Sequence, residues 1–172
     1  FETPNEPWED TGETMEEHDL IYDWNDIDYS IDRDESDHPH ELWFDDETLR
    51  DGLQSPSARN PTIAEKIELI DYMEKLGIQK VDLGLPGAGP FHIDHIDSML
   101  DHMGENGYNL RPGCAVRTVV SDIEPLVELQ SKHERQVQAS AFLGTSPIRQ
   151  FAEGWTMGRI METAEKAVTF AV

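Results

Sequence analysis

Asp46-Glu47-Thr48-Leu49-Arg50-Asp51-Gly52-Leu53-Gln54 follows a short apolar run, Leu42-Trp43-Phe44, and its reading decides the fold. An arginine beside an aspartate, just after a strand, supplies two fixed chemical tools. The carboxylate is a hard oxygen ligand for an ion such as Mg2+ or Mn2+, and the guanidinium can clamp a carboxylate or a developing oxyanion. Gly52 lets the backbone turn closely beneath them. A surface turn closed by an Arg–Asp ion pair has the same residue types, so the stretch must be placed among its neighbours.

Working outward, a strand–helix rhythm appears. Leu42–Phe44 reads as a buried strand. Thr62-x-x-Glu65 is a capping-box pattern opening a helix whose Ile63, Ile67, Ile70, Met73 and Leu76 share a face, with Gly77 placed to stop it. Residues 78–85 read as a second strand, ended by Pro86-Gly87-Ala88-Gly89-Pro90. Ile93, Ile96, Met99, Leu100 and Met103 mark a second helix. Cys114-Ala115-Val116 carries a third strand, and Ser121-x-x-Glu124 with Pro125 opens a third helix. Residues 136–143 alternate as a fourth strand. Met157, Ile160, Met161, Ala164, Ala167, Val168 and Ala171 recur at helical spacing. Methionines on such faces are expected in the core.

Four strand–helix units of roughly 30 to 35 residues each signal a parallel sheet, either open and doubly wound or closed into a barrel. No G-x-G-x-x-G follows a strand, and 84–89 is too broken by Pro86 to open a helix on a pyrophosphate. The unusual polar residues fall after the strands, at 46–54, 84–90, 117–121 and 144–150. In both architectures the carboxyl ends of the strands build the site.

The charge is uneven. The 172 residues carry a net −23, of which residues 1–41 contribute −15, from 16 acidic side chains against Arg33. That balance argues against nucleic-acid and anionic-membrane partners, because phosphates would be repelled. Residues 1–41 are expected to form an acidic, extended N-terminal arm ahead of a catalytic domain at 42–172. Trp8, Tyr22, Trp24 and Tyr29 within the arm offer a second reading, docking on its own barrel or on a second subunit. His38-Pro39-His40 reads as solvated, an isolated pair without a third metal ligand. His92 and His95, with Asp94 and Asp97 between and beside them, read as an exposed turn of the second helix, and Asp101-His102 as surface.

No stretch is long and apolar enough for a membrane helix, and residues 1–10 lack the pattern of a signal peptide. Cys114 is alone, so no internal disulfide can form. A cytoplasmic protein is the expectation. The chain opens on Phe1 in place of an initiator methionine, as a fragment or a trimmed product would.

The stretch 46–54 resembles the D-x-T-L-R-D-G-x-Q signature of the DRE-TIM metallolyases, which include the isopropylmalate, homocitrate and citramalate synthases and HMG-CoA lyase. Further similarities run in order: residues 80–86 to the second-strand E-x-G-F-P, Ala115-Val116-Arg117 to the third-strand L-x-R, and residues 142–148 to the fourth-strand F-I-x-T-S-x-I of the synthases. The resemblance implies a (β/α)8 TIM barrel, of which this chain carries the first four βα units. It implies an acyltransferase joining acetyl-CoA to a 2-oxo acid, with a divalent metal ion (Mg2+, Mn2+ or Zn2+). Asp51 would bind the metal, and Arg50 would bind the keto acid and stabilise the enolate or alkoxide. Gln54 and Asp82 would complete the catalytic group, and Arg117, Thr145 and Ser146 the substrate-binding group.

Leu53 stands where the synthases carry Glu and matches the R-D-G-L-Q of the lyases. Asp82 is one methylene shorter than the usual Glu, and Arg149 replaces a His of many synthases. An HMG-CoA-type lyase, or a non-catalytic half-barrel that pairs with another chain, are the alternatives. A half-barrel leaves its first and fourth strands as sheet edges, which predicts a homo-oligomer.

Overall fold

The computed structural model describes residues 43–172. The acidic arm at 1–41, His38-Pro39-His40 and Leu42 lie outside the described residues. Two compact units are present: residues 43–142 with Lys166–Val172, and Leu143–Glu165.

The larger unit is an α/β layer built on a parallel sheet in the order β1-β2-β3-β4, half the strand complement of a (β/α)8 barrel. The strands are β1 (Asp45–Asp46), β2 (Lys80–Asp82), β3 (Arg111–Arg117) and β4 (Gln138–Phe142). Between them run α1 (Ile63–Leu76), α2 (Pro90–Glu105) and α3 (Val120–His133). The register pairs Asp45 with Lys80, Asp82 with Gly113 and Arg117 with Phe142. Lys80 Nζ closes the first pairing on Asp45 Oδ2 at 2.8 Å.

The capping box forms as the sequence predicts. Glu65 N donates to Thr62 Oγ1 and Thr62 N donates back to Glu65 Oε2, while Gly77 ends α1 in the left-handed region at φ 73°. Ile70, Met73, Ile96, Met99, Leu100 and Met103 bury against Val81, Leu83, Cys114 and Val116. Pro112 to Val116 are all buried, as expected of a central parallel strand covered on both faces.

Four expectations are corrected. Trp43 and Phe44, expected within a buried strand at Leu42–Phe44, are exposed, and β1 is two residues long, beginning at Asp45. As a sheet edge it has a neighbour on one side only, so Trp43 lies instead against the Arg111 guanidinium, 4.2 Å from the ring centre. Leu76 does not join the apolar face of α1 but is 77% exposed. Ser121 caps nothing: α3 begins at Val120, with Val119 before it and no side-chain cap. Its neighbour Asp122 turns back to the strand end, accepting from Arg117 N at 3.3 Å and from both sides of the Arg117 guanidinium. His102, expected on the surface, accepts a tertiary role by tying Nε2 to Asp71 Oδ1 at 2.7 Å, where Tyr108 OH also donates.

The Asp122 carboxyl group occupies the space that a side chain at Gly87 would need. A Cβ at Gly87 would lie 2.5–2.8 Å from its three carboxyl atoms. Asp122 is pinned by Arg117 and cannot simply swing away. Gly87→Ala is therefore expected to destabilise the chain by about 1–3 kcal/mol, measured by urea titration, and parent-like stability would show that Asp122 is free to move.

In the unit Leu143–Glu165, a further short helix, α4 (Pro147–Glu153), was not anticipated. Its signals stand in the sequence: Ser146 accepts from Arg149 N, Pro147 opens the first turn, and Gly154 ends it at φ 60°. The last helix, α5 (Met157–Ala171), buries Ile160 and Ala167 but leaves Met161 and Val168 exposed.

Candidate active site

The loop after β1 folds back on itself through two bonds to the Glu47 carbonyl, from Arg50 N at 3.2 Å and Gly52 N at 3.0 Å. This tight turn directs Arg50 towards the carboxyl ends of β1 and β2. Three carboxylates surround its guanidinium. Glu47 Oε2 bonds NH2, Asp51 Oδ1 lies 3.1 Å from NH1, and Asp82 Oδ2 lies 3.3 Å from Nε. Arg50 is thus fixed without being spent on one partner, and 22% of its side chain remains exposed.

Asp82 is the buried member of the group, at 3% exposure. Its Oδ1 accepts from Gly84 N at 3.0 Å and Ala115 N at 3.3 Å, joining the ends of β2 and β3. Its Oδ2 and Arg50 Nε are close enough for an ion pair, yet neither makes a hydrogen bond, because the approach is poorly aligned. Burial pushes the Asp82 carboxyl up to about 6, against the backbone bond from Gly84, with the Glu47 charge adding to the rise.

A carboxyl raised by folding favours the protonated folded state. Its contribution is fully present below about pH 4, the unfolded value, and is lost as pH rises through about 6. A move of about two units corresponds to roughly 3 kcal/mol. Asp82→Asn is expected to remove that slope, so the stability curves of parent and variant should converge in shape outside pH 4–7 and diverge within it. Parallel curves across that interval would show that Asp82 is not perturbed.

A cleft of about 680 Å3 opens beside this group, lined by Glu47, Arg50, Asp82, Ala115 and residues 138–142 of β4. Arg50, Asp51 and Asp82, predicted from sequence, are therefore brought together. Gln54 lies one turn further on, exposed, with its amide N–H on the Asp51 carbonyl at 3.0 Å. Arg117 stands at the end of β3, but its guanidinium is engaged by Asp122 at 2.6 and 2.7 Å. Thr145 and Ser146 belong to the unit Leu143–Glu165, where the Thr145 carbonyl accepts from Gln150 Nε2 and Ser146 caps α4.

A divalent ion, implied by the signature, finds a partial donor set. Asp51 offers an accessible carboxylate, 62% exposed. No group of three His, Cys, Asp or Glu side chains gathers in a metal-binding arrangement among the described residues. A complete shell needs donors beyond these.

Sequence reasoning missed Glu47 as a clamp on Arg50. It also placed His92 and His95 on an exposed turn, whereas both line a second cavity with Lys66. The signal for Lys66 was present: it stands three residues after Ile63, four before Ile70 and seven before Met73, on the apolar stripe of α1.

Residues 41–172 match the HMGL-like family, and the chain belongs to it. The 2-isopropylmalate synthase of Streptococcus gallolyticus (strain UCN34) is 33% identical over 129 residues, covering 74% of this chain and 24% of that protein. The 2-isopropylmalate synthase of Brevibacillus brevis (strain 47 / JCM 6285 / NBRC 100599) is 31% identical over 127 residues, 73% of this chain and 24% of that one. The chain spans about a quarter of the length of these curated relatives. Among the described residues, no helix is long and apolar enough to cross a membrane.

Proposed function

We propose that the protein takes part in a metal-dependent condensation of an acyl-CoA, acetyl-CoA foremost, with a 2-oxo acid, as a 2-isopropylmalate-synthase-like acyltransferase. The observation that carries this reading is Arg50, held by Glu47, Asp51 and Asp82 at the mouth of the cleft. In it Arg50 binds the 2-oxo acid and meets the charge that develops on the ketone oxygen when the α-carbon of the acyl-CoA, after losing a proton to a base, attacks. A preorganised guanidinium is worth most when, as here, carboxylates fix it before the reaction. Asp82 holds Arg50 from the buried side. A divalent ion, with Asp51 as one of its ligands, would polarise the ketone when bound. Gln54 lines the substrate pocket in this reading, and Arg117 reaches the substrate carboxylate only by exchanging its bond to Asp122. In this reading the protein is a cytoplasmic homo-oligomer.

The test is thiol release from acetyl-CoA by the full-length gene product across a panel of 2-oxo acids, with Mg2+ or Mn2+ and then with excess chelator. Chelator-sensitive release with one preferred 2-oxo acid supports the synthase. One residue favours a second reading: Leu53 gives the R-D-G-L-Q of the lyases. Cleavage of a 3-hydroxy-3-methylglutaryl-type thioester, without condensation, would decide for that reaction. Activity with neither substrate would leave a non-catalytic half-barrel that binds another chain.

A further inference from the structure

Lys66 is a cation inside the apolar face of α1. It is 4% exposed, and its ammonium makes no hydrogen bond or ion pair with any described residue. A buried charge without a partner is costly, and burial lowers the Lys66 pKa accordingly. Across the cavity, on α2, His95 presents a buried Nδ1 that also lacks a hydrogen-bond partner, and the Phe91 ring lies against its imidazole at 4.2 Å. Burial, and then the Lys66 charge, disfavour protonation of His95, so it faces Lys66 as a neutral ring. Its Nδ1 tautomer can donate a hydrogen bond.

The space between them is about 310 Å3, and Arg50, Gln54, Asn60 and His92 add polar groups to its wall. No carboxylate lines it, although the chain carries 36 acidic residues against 13 lysines and arginines. The nearby acids Glu47, Asp51 and Asp82 are turned to Arg50. What the cavity lacks is an anionic partner for Lys66.

We propose that this cavity is an oxyanion site, in which Lys66 supplies the charge and His95 Nδ1–H a hydrogen bond to the phosphate or carboxylate head of a small ligand. Lys66 acts there as a compact point charge, which suits an oxyanion of either geometry. The cavity shares Arg50 and Gln54 with the site proposed above, but Lys66 and His95 have no part in the condensation reading, so the two readings can fail separately.

The experiment uses the full chain with nitrogen-15-labelled histidine. Inorganic phosphate and, in a parallel arm, acetate are titrated at ionic strength held constant with chloride. A saturable shift of the His95 ring nitrogens is expected with at least one anion. Saturation by phosphate alone assigns a phosphate-bearing ligand, and by acetate alone a carboxylate. Lys66→Met should weaken the binding about tenfold or more, the loss of one charge-assisted hydrogen bond, while Lys66→Arg keeps most of it. Should Lys66→Met fail to fold, His95→Gln carries the same test, read as loss of the phosphate-dependent rise in Tm. No His95 response beyond that of chloride, or equal binding by parent and variant, would overturn the proposal.

Discussion

Arg50→Ala is expected to lower kcat/KM for acetyl-CoA condensation by about 10²–10³-fold, the usual loss when a preorganised oxyanion partner is removed. The size follows from how the guanidinium is held. Glu47, Asp51 and Asp82 approach it from three sides, so it needs no reorganisation when charge appears on the substrate. Arg50→Lys should recover little. An ammonium cannot reach the positions of Nε, NH1 and NH2 together, and the carboxylates would be left partly unpaired. The two variants also separate catalysis from structure. Removing Arg50 leaves Asp82 with its Gly84 and Ala115 bonds but without a nearby cation, which should raise its pKa further and shift the acid limb of stability. A kcat/KM within about threefold of the parent, with the expected shift in stability, would assign Arg50 to folding alone and leave condensation without its main group.

Ile70→Ala is expected to cost about 2–5 kcal/mol, or roughly 4–20 °C in Tm for a chain of this size. Ile70 is 0% exposed on α1, within the cluster that joins α1 and α2 to the sheet. Its removal leaves a void between elements that are already close-packed. Leu76→Ala is the internal comparison. Both are large aliphatic residues of the same helix, yet Leu76, about 120° round the helix from Ile70, is 77% exposed, so its truncation should change stability by no more than about 0.5 kcal/mol. Thermal melts of both variants beside the parent decide the matter. Equal losses would mean that Leu76 is covered in solution.

These two positions show where the sequence is informative and where it is not. Ile63, Ile67 and Ile70 keep to one face of the helix, whereas Leu76, two three-residue steps beyond Ile70, falls about 120° round from it and leaves the stripe. The end of the buried face depends on which element lies opposite the last turn. Lys66 makes the converse case. It sits on the stripe, and a lysine there reads as a solvated interruption until the cavity beneath it is seen.

The sequence by itself determined the parallel α/β class of fold, the order of its four strand–helix units and the R-D-G turn that carries Arg50 and Asp51, whereas Asp82 joined them through the family resemblance. The fold and the turn rest on short-range signals: the Thr62–Glu65 capping box, Gly77 beyond the end of α1, the apolar Cys114–Val116 run, and an R-D-G turn after the first strand. Only the tertiary structure decided that β1 is a two-residue edge with Trp43 and Phe44 outside it, that Glu47 completes the clamp on Arg50, and that Asp122 takes up Arg117. It alone set Lys66 and His95 across one cavity, 29 positions apart in the chain. The physical reason is range. Caps, turns and periodic faces are fixed by residues three or four apart, whereas exposure at a sheet edge and the partner of a charge depend on what the folded chain brings alongside.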